Sequence, residues 1–396
     1  MIGYRNAAYN PHDQTVEVYT WSEEGERISF TTKFSPYFFV EDNKGTELSI
    51  YNTKLRRKSF PSSFEKSKYL KDTGIKRLYE NFNNTQHCLI DLYWNNNEDE
   101  DFSKFPLKIY YIDIEAVAET FPNPQDPQHA INIITIYDSL KQQFYCWGLK
   151  PYTPKQSNVN YVYCKSEVDL LTLFVDFFKR NPCDILSGWN SANFDIPYIV
   201  NRIKMVLGEV AATELSPVNR VHSRTFIGVY GREQLNYHID GISCVDYLDI
   251  YKKFSFSNRE SYKLDYIGEF ELGEKKVDVG DQSLLDLMIN DWDKFVEYNI
   301  QDVNLLMKLE EKLQYINLLR MLAYIGLTTF ENAMGTLGVI TGATAIRARH
   351  RGQRVSTFIR GEDDGSKNPG AYVAEPLRNF QENIVSFDAN SLYPNV

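Results

Sequence analysis

The sequence predicts an α/β fold in a chain long enough for more than one domain. Three runs of β-branched and aromatic residues follow one another closely at 108–117, 131–137 and 142–149, and a fourth at 159–164 can extend the same sheet. Helical patterns then alternate with strand patterns, which is the layout of a sheet covered by helices. A chain of 396 residues is also too long for one hydrophobic core, so two or three domains are expected.

The first hundred residues form a segment with a different pattern. Residues 16–19 and 37–40 are predicted as strands with turn residues between them. The stretch 95–101, NNNEDED, is polar and acidic, as is typical of a linker. We therefore expect a β-rich N-terminal segment and a domain boundary near residue 105.

Basic residues concentrate between Lys54 and Arg77, where Phe60, Phe64 and Tyr69 are interleaved with them. Such a face can follow a phosphate backbone. The plainer interpretation is a solvated helix surface, and the sequence leaves both open. The net charge of −10 argues against binding nucleic acid through bulk charge, although it allows a local basic track.

The α/β pattern continues beyond residue 165. Ser166, followed three residues later by Asp169, is typical of a capping box that opens a helix, and Pro182 ends that helix. A strand is predicted at 184–190. A second helix is predicted to begin near Asp195, with apolar residues repeating on one face.

Further elements follow before the chain reaches its last quarter. A β-hairpin is predicted at 226–240, and helices are predicted at about 246–254 and 261–270. One long helix is predicted to begin near Trp292 and to continue past Tyr315. The sequence contains no internal repeat and no long low-complexity tract.

Composition narrows the class of protein. The five cysteines are scattered without a C-x-x-C pair, so neither a zinc site nor a disulfide framework is indicated, and a reducing compartment fits. There is no signal-peptide pattern, and no apolar run approaches the 18 residues of a membrane span. A soluble intracellular protein without a membrane partner is expected.

The stretch 110–115, YYIDIE, carries the first candidate site. Side chains two apart on a strand share a face, so Asp113 and Glu115 are expected to lie together. Their apolar neighbours indicate a buried strand, where two carboxylates repel and are poorly solvated unless a cation neutralises them. The alternative is that both lie at an exposed strand end.

Two later segments supply further carboxylates. Asp195 opens a helix directly after a buried strand, where a loop often carries a catalytic carboxylate, although a helix cap is the plainer interpretation. Tyr298 and Asp302 are four residues apart on the long helix, so they share a face. An exposed Asp beside a core Tyr would explain that pattern equally well.

Taken together, these four carboxylates form a set of hard oxygen donors that suits Mg²⁺ or Mn²⁺. Two such ions roughly 4 Å apart can activate a water molecule and stabilise the leaving 3′ oxygen of a phosphodiester. Tyr298 could orient the attacking water. The histidines show no ligand-like spacing, and no Gly-rich phosphate loop or Ser-His-Asp set competes with this interpretation.

The same motifs resemble those of a known group of nucleases. DIE at 113–115, NxxxFD at 190–195 and YxxxD at 298–302 resemble the three exonuclease motifs of the DEDD superfamily, in its tyrosine-bearing branch. GWNSANFDIPYIVNRIKMVLGE, YLDIYKKFSFSN, YNIQDV and the ending PGAYVAEP…IVSFDANSLYPNV resemble the N-terminal part of family B DNA polymerases of T-even-like bacteriophages. The likeness spans about 105 to 396.

This resemblance implies a metal-dependent 3′→5′ exonuclease that proofreads DNA with two Mg²⁺ or Mn²⁺ ions. The residues implied in catalysis are Asp113, Glu115, Asp195, Tyr298 and Asp302. The implied metal ligands are the four carboxylates of that set and, in a polymerase palm, Asp388. The residues implied in DNA contacts are Phe121, Asn190, Phe194, Arg232 and Tyr393. The hairpin resembles one that helps to part primer from template.

The resemblance also implies a layout in three parts. An N-terminal domain spans 1–107 and is completed by about 318–378, an RNase H-like exonuclease domain spans 108–317, and a short palm stub occupies 379–396. Because most of the palm, the fingers and the thumb are missing, we expect no DNA synthesis from this chain alone.

The expected partners are single-stranded DNA and primer-template DNA. A second chain with the rest of the polymerase and a sliding clamp are further candidates, in the host bacterial cytoplasm if the protein is of phage origin. Two alternatives stay open. One is an RNA-directed exonuclease of the same superfamily, and the other is a non-catalytic nucleic-acid-binding or assembly subunit of a split polymerase.

Overall fold

The computed structural model describes residues 3–75, 77–96, 104–116, 122–227, 233–274 and 282–358, together with residues 375, 382 and 385. The chain divides into two compact units, Met1–Phe358 and Ile359–Val396, and every strand and helix reported below belongs to the first. Among the described residues, none of the helices combines the length and the apolar character that a membrane span requires.

Strands dominate the first third of the described chain and helices dominate the last third. In chain order, the described strands are β1 Tyr4–Asn10, β2 Thr15–Trp21, β3 Arg27–Lys33, β4 Tyr37–Glu41, β5 Glu47–Ser49, β6 Lys54–Ser59, β7 Arg77–Tyr79, β8 Ile109–Glu115, β9 Ile133–Asp138, β10 Gln143–Gly148, β11 Val159–Tyr163, β12 Ile185–Ser187, β13 Val221–Ile227, β14 Glu233–Ile239, β15 Ser243–Cys244, β16 Gln353–Arg354 and β17 Ser356–Phe358. The described helices are α1 Ser63–Thr73, α2 Asn84–Tyr93, α3 Glu167–Arg180, α4 Asp195–Leu207, α5 Glu209–Thr213, α6 Tyr247–Phe254, α7 Leu264–Leu272, α8 Leu284–Asn290, α9 Trp292–Leu313, α10 Tyr315–Ile325, α11 Phe330–Ala333 and α12 Thr336–His350.

A mixed sheet with the strand order β11-β10-β9-β8-β12-β15 forms the framework of the candidate site. β9 is antiparallel to both β8 and β10, whereas β10 with β11, β8 with β12, and β12 with β15 are parallel. The runs predicted at 108–117, 131–137, 142–149 and 159–164 are confirmed as strands of this sheet. The predicted α/β class is confirmed as well.

Helices cover both faces of this sheet. Tyr110 and Ile112 of β8 belong to a core that includes α3 and α4. Tyr111 belongs to the core on the opposite face, which includes α6, α7 and α9. Because side chains alternate along a strand, Asp113 and Glu115 share the α9 face with Tyr111. The two acidic side chains therefore point toward a helix-covered face of the sheet.

The strand predicted at 184–190 is shorter than expected. β12 ends at Ser187 because the chain must turn there, and Asn190 adopts the left-handed region with a φ of 63°. A Cβ atom on Gly188 would lie 2.7 Å from the carbonyl oxygen of Ile112, so the turn packs directly against β8. The glycine permits this close approach.

The predicted helix starts at Ser166 and Asp195 are confirmed. Ser166 Oγ accepts a hydrogen bond from the backbone N–H of Asp169 at 3.2 Å, which caps α3. That helix ends at Arg180, before Pro182. α4 begins at Asp195 itself, so the carboxylate lies in the first turn of the helix.

The helices predicted at 246–254 and 261–270 are confirmed as α6 and α7. The prediction of one continuous helix past Tyr315 is wrong. α9 ends at Leu313 and α10 begins two residues later, because Gln314 adopts the left-handed conformation with a φ of 55°. A left-handed residue reverses the helical path and ends the hydrogen-bonding ladder.

The predicted hairpin is present, but it begins earlier than the predicted 226–240. β13 pairs antiparallel with β14 from Val221, which lies opposite Ile239. Residues 221–225, VHSRT, are largely polar and give a weak strand signal in the sequence. Pairing with β14 overrides that local signal, since strand propensity depends strongly on context.

The N-terminal part of the chain builds two further sheets. β1, β2 and β3 form an antiparallel sheet, and the second sheet has the order β16-β5-β6-β4-β7-β17. The strands predicted at 16–19 and 37–40 are confirmed as β2 and β4. β16 and β17 return from residues 353–358 to pair with β5 and β7. The borders of the predicted domains stay predictions.

The basic run at 54–77 does not form one helix surface. It is divided among strand β6, helix α1 and the start of strand β7. Four of its described cations lie over aromatic rings, and the two shortest distances are 3.7 Å from Arg57 to the Tyr37 centroid and 3.5 Å from Lys58 to the Tyr69 centroid. These cation–π contacts give part of the run a packing role. Nucleic-acid contact by the run stays a prediction.

A buried ion cluster joins the first sheet to the central one. Arg5 of β1 and Arg27 of β3 each place a guanidinium nitrogen 2.6 Å from Oδ1 of Asp184, just before β12. Asp184 Oδ2 accepts a hydrogen bond from the backbone N–H of Lys108 at 2.8 Å. Asp184 is 2% exposed, so these partners take the place of water around its carboxylate.

Candidate metal centre

Three carboxylates from two elements meet beside β8. Asp113 and Glu115 leave one face of β8, and Asp302 reaches them from α9, which packs across that face. Each offers one oxygen atom, and the three oxygen atoms all lie within 4.8 Å of one another. Asp302 is buried, and the other two are half-buried. The structure thus brings Asp113 close to Asp302, which lies 189 positions later in the chain.

Asn299 belongs to the site although no motif reveals it. Its Nδ2 donates a hydrogen bond to Asp113 Oδ2 at 2.6 Å, and its side chain is fully buried. An amide that donates to a carboxylate favours the charged form and fixes its orientation. The available signal was its position three residues before Asp302, on a neighbouring part of the same helix face.

Asp195 approaches the same strand from the other side. Its Oδ1 accepts a hydrogen bond from the backbone N–H of Ile114 at 3.1 Å, and Ile114 lies between Asp113 and Glu115. Among the described residues, Asp195 is not part of the group within 4.8 Å. Burial raises the pKa of Asp195 to about 7; the backbone N–H groups lower it, and the nearby acidic side chains raise it further.

Asp246 is a second residue that the motifs do not reveal. It lies just before α6, and its carboxylate accepts hydrogen bonds from the backbone N–H groups of Asn190 and Ala192, each at 3.0 Å. Burial raises the pKa of Asp246 to about 6, and these N–H groups oppose the shift. An Asp between an apolar run and a helix is a recognisable cap signal, but its link to a distant loop is not.

Three other described residues were predicted for the site: Tyr298 on α9, and Asn190 and Phe194 in the stretch that leads into α4. Tyr298 is half-buried, one helical turn before Asp302. Asn190 forms the left-handed turn after β12, and its Oδ1 accepts a hydrogen bond from Asn193 Nδ2 at 3.0 Å. Phe194 packs against Tyr198, with ring centroids 5.5 Å apart. Four predicted residues lie outside the described ones: Phe121, Arg232, Asp388 and Tyr393.

The donor set fits a hard divalent cation. Carboxylate oxygens are the ligands that Mg²⁺ and Mn²⁺ prefer. Three carboxylates with oxygens this close repel one another, and a cation among them removes that cost. The side-chain amide of Asn299 donates a hydrogen bond to one of the three, Asp113, and so helps to orient it. The arrangement is therefore compatible with a metal site.

Comparison with known families agrees with this geometry. A model of the DNA polymerase family B exonuclease domain matches residues 56–267, more than half of the chain. The chain belongs to DNA polymerase family B. The matched stretch of this family B exonuclease domain includes Asp113, Glu115 and Asp195, and the structure adds Asp302 from beyond it.

Individual family B polymerases extend the similarity over most of the chain. The DNA-directed DNA polymerase of Escherichia phage RB69 is 30% identical, and the match covers 97% of this chain and 45% of the relative. That of Enterobacteria phage T4 is 28% identical over 94% of this chain and 44% of the relative. The DNA polymerase delta catalytic subunit of Caenorhabditis elegans is 26% identical, and the match covers 82% of this chain and 32% of the relative. The chain thus spans less than half the length of these relatives.

Proposed function

We propose that this chain is the exonuclease-bearing part of a family B replicative DNA polymerase. Its metal centre would remove nucleotides one at a time from the 3′ end of DNA. The observation that carries this proposal is the group of three carboxylate oxygens within 4.8 Å, in a chain that contains the family's exonuclease domain. Membership of a family of DNA polymerases makes DNA the expected substrate.

The centre suits two divalent cations, Mg²⁺ or Mn²⁺. The residues proposed to hold them are Asp113, Glu115, Asp195 and Asp302. When bound, such ions supply positive charge to the scissile phosphate and lower the pKa of a water molecule. The protein's own task is to keep several carboxylates charged and close together. Asn299 and the backbone N–H of Ile114 support this by donating hydrogen bonds to two of them.

Tyr298 is proposed to orient the attacking water. It shares a face of α9 with Asp302, so its hydroxyl can lie beside the carboxylates. A tyrosine hydroxyl both donates and accepts hydrogen bonds, which suits it to fixing a water molecule without taking its proton. The side chain is half-buried, so it keeps access to solvent and substrate.

Selectivity for mispaired ends follows from the cost of unpairing. A 3′ end must leave the duplex before it can enter a centre of this kind, and a mismatched end costs least to melt. The proposed DNA contacts are Phe121, Asn190, Phe194, Arg232 and Tyr393, with Asp388 as a metal ligand of a polymerase palm. Primer-template DNA is the proposed substrate. A second chain, a sliding clamp and the cytoplasm of a bacterial host belong to the same proposal.

The domain layout is part of this proposal. In this layout the chain consists of an N-terminal domain at 1–107, completed by about 318–378, an exonuclease domain at 108–317 and a palm segment at 379–396. The return of β16 and β17 to the N-terminal sheet supports the completion of the first domain from later in the chain.

The direct test is digestion of a single-stranded oligonucleotide labelled at its 5′ end. With Mg²⁺ the wild-type chain should produce a ladder that shortens from the 3′ end, and EDTA should abolish it. Asp113→Ala should abolish it too. Asp176→Ala, which removes a partly exposed acid of α3, should digest like the wild type.

Three outcomes would overturn the proposal in favour of a stated alternative. Equal degradation by Asp113→Ala, or none by the wild type with either Mg²⁺ or Mn²⁺, would favour a nucleic-acid-binding or assembly subunit. Preferential digestion of a ribose oligonucleotide of the same sequence would favour an RNA-directed exonuclease.

A further inference from the structure

A loop at 188–194 carries the chain from β12 to Asp195. The pairing of β12 with β15 ends where this loop begins. There the backbone N–H of Tyr247 donates to the carbonyl oxygen of Gly188 at 2.9 Å. Beyond this point the loop has left the sheet, and Asn190 within it adopts the left-handed conformation, which asparagine tolerates better than most residues with a side chain. Because the loop has no strand partner, its shape is set by hydrogen bonds within it and by groups that pack beside it.

Asp246, which lies just before α6, is one of the groups that hold the loop from outside. Its Oδ1 caps α6 by accepting the N–H of Leu248 at 2.9 Å. The same oxygen accepts the N–H of Asn190, and Oδ2 accepts the N–H of Ala192, each at 3.0 Å. The side chain is 4% exposed, so water is poorly placed to replace these bonds. Capping α6 requires only the first bond, whereas the other two hold the loop.

The held loop leads directly into the candidate metal centre. The backbone N–H of Phe194 donates to the carbonyl oxygen of Asn190 at 3.1 Å, so the approach to α4 is built on the loop. The next residue, Asp195, then reaches the N–H of Ile114 between the two acidic residues of β8. A shift of the loop therefore changes how Asp195 stands relative to the carboxylates of β8 and α9.

We propose that Asp246 is a positioning residue, which holds Asp195 in place for metal binding through the loop at 188–194. The inference rests on the proposed function, because that function assigns Asp195 to the metal. Asp246 has no contact with the metal or the substrate in this role. Its two bonds to the loop act on the centre as outer-shell hydrogen bonds act on metal ligands.

The test compares Asp246→Ala and Asp246→Asn with the wild type in the full chain. Mn²⁺ affinity is measured by electron paramagnetic resonance, and backbone amide exchange is measured by mass spectrometry for a peptide that contains 188–194. Loss of the carboxylate should weaken Mn²⁺ binding by about tenfold to a hundredfold. It should speed amide exchange in the loop and lower kcat of the exonuclease more than it changes KM. The Asn variant keeps one carbonyl oxygen as an acceptor, so its effects should be intermediate.

Ser166→Ala is the matched control, because it removes the side-chain cap of α3, a helix that takes no part in the loop. It should lower the melting temperature without changing Mn²⁺ affinity or exchange in the loop. Wild-type Mn²⁺ affinity and wild-type loop exchange in Asp246→Ala would overturn the inference. If that variant does not fold, Asp246→Asn decides by the same criteria. A wild-type chain that binds no Mn²⁺ would overturn the proposed function. In that case, amide exchange in the loop would still show whether Asp246 holds the loop in place.

Discussion

Two of the carboxylates at the candidate centre are supported by donors of different kinds. Asp113 accepts a hydrogen bond from the side chain of Asn299, whereas Asp195 accepts one from a backbone N–H. A buried carboxylate is costly unless donors replace the water it has lost. The backbone donor is present whatever side chain stands there, but the amide of Asn299 depends on one residue. At the residue scale, Asn299 is therefore the support that mutation can remove.

Asn299→Ala should weaken Mn²⁺ binding by about tenfold to a hundredfold, because Asp113 loses the donor that orients it. Isothermal titration calorimetry with Mn²⁺ measures the effect. Asn304→Ala is the control: it lies on the same helix and donates to Gln301 instead. An Asn299→Ala affinity within twofold of the wild type would show that the amide has no part in metal binding.

His87 gives a residue-scale prediction away from the centre. Its ring is fully buried against Tyr37, with centroids 3.9 Å apart, and neither ring nitrogen has a hydrogen-bond partner among the described residues. Burial lowers the pKa of His87 well below its usual value, and the nearby cations of Arg349 and Lys66 lower it further. The folded chain thus holds this histidine neutral.

Because the folded pKa of His87 is depressed, this histidine binds more protons in the unfolded chain below about pH 6.5, and its contribution to stability falls as the pH drops. His87→Leu should remove this part of the acid sensitivity, measured as the urea midpoint between pH 7.5 and pH 5. The exposed His12 gives the control His12→Leu, which should keep the wild-type pH dependence. An equally steep fall in His87→Leu would contradict the prediction.

The break between α9 and α10 shows what one residue does at the scale of an element. Gln314 turns the chain, and Glu310 from the last turns of α9 then caps α10 by accepting the backbone N–H of Ile316 at 3.0 Å. The hydroxyl of Tyr247 donates to the same carboxylate at 3.0 Å. Glu310 is 7% exposed, and burial raises its pKa to about 7. One acid therefore joins three helices.

Glu310→Gln should stabilise the chain by about 3 kcal/mol at pH 8 and change little at pH 4. The folded pKa is raised above the ordinary 4.5, so the folded chain keeps its proton while the unfolded chain loses it. The contribution of Glu310 to stability is thus lost as the pH rises from about 4.5 to about 7. The neutral amide imitates the protonated acid and removes that loss.

Urea denaturation at a series of pH values measures this difference. The neighbouring Glu311 is exposed, so Glu311→Gln is a control that should follow the wild type at every pH. A Glu310→Gln variant that is less stable than the wild type at pH 8 would mean that the cap requires a charged carboxylate.

At the scale of the whole molecule, buried ion clusters join segments that are far apart in the chain. Asp184 holds the first sheet to the central sheet through Arg5 and Arg27. Arg349 of α12 pairs with Glu80 at 2.6 Å, which ties the last long helix to the N-terminal part of the chain. Such pairs add little net stability when intact, but removing one partner leaves a buried charge without compensation.

Asp184→Ala should destabilise the chain by about 3–5 kcal/mol, since Arg5 is 6% exposed and would lose its carboxylate. The free energy of unfolding from urea titration is the measurement. Asp176→Ala breaks an exposed pair with Arg180 one helical turn away and should cost less than about 1 kcal/mol. Equal costs for both variants would rule out a structural role for the buried cluster.

Much of the fold and half of the centre could be predicted because they depend on short periods in the chain. Alternation along β8 puts Asp113 and Glu115 on one face, and a spacing of four puts Tyr298 beside Asp302. The end of α9 could not be predicted in this way. Glutamine is a good helix former, so nothing local at Gln314 marks the left-handed turn.

The sequence by itself determined the α/β class, the strand that carries the first two carboxylates and the helix that carries the last. Tertiary structure alone decided the hydrogen bonds around the centre. Asn299 meets Asp113 across 186 residues, and Asp246 holds a loop 54 to 56 residues earlier in the chain. The physical reason is the range of the interactions. Periodicity and capping act within a few residues, whereas a buried carboxylate takes its donors from whichever elements the packing brings beside it.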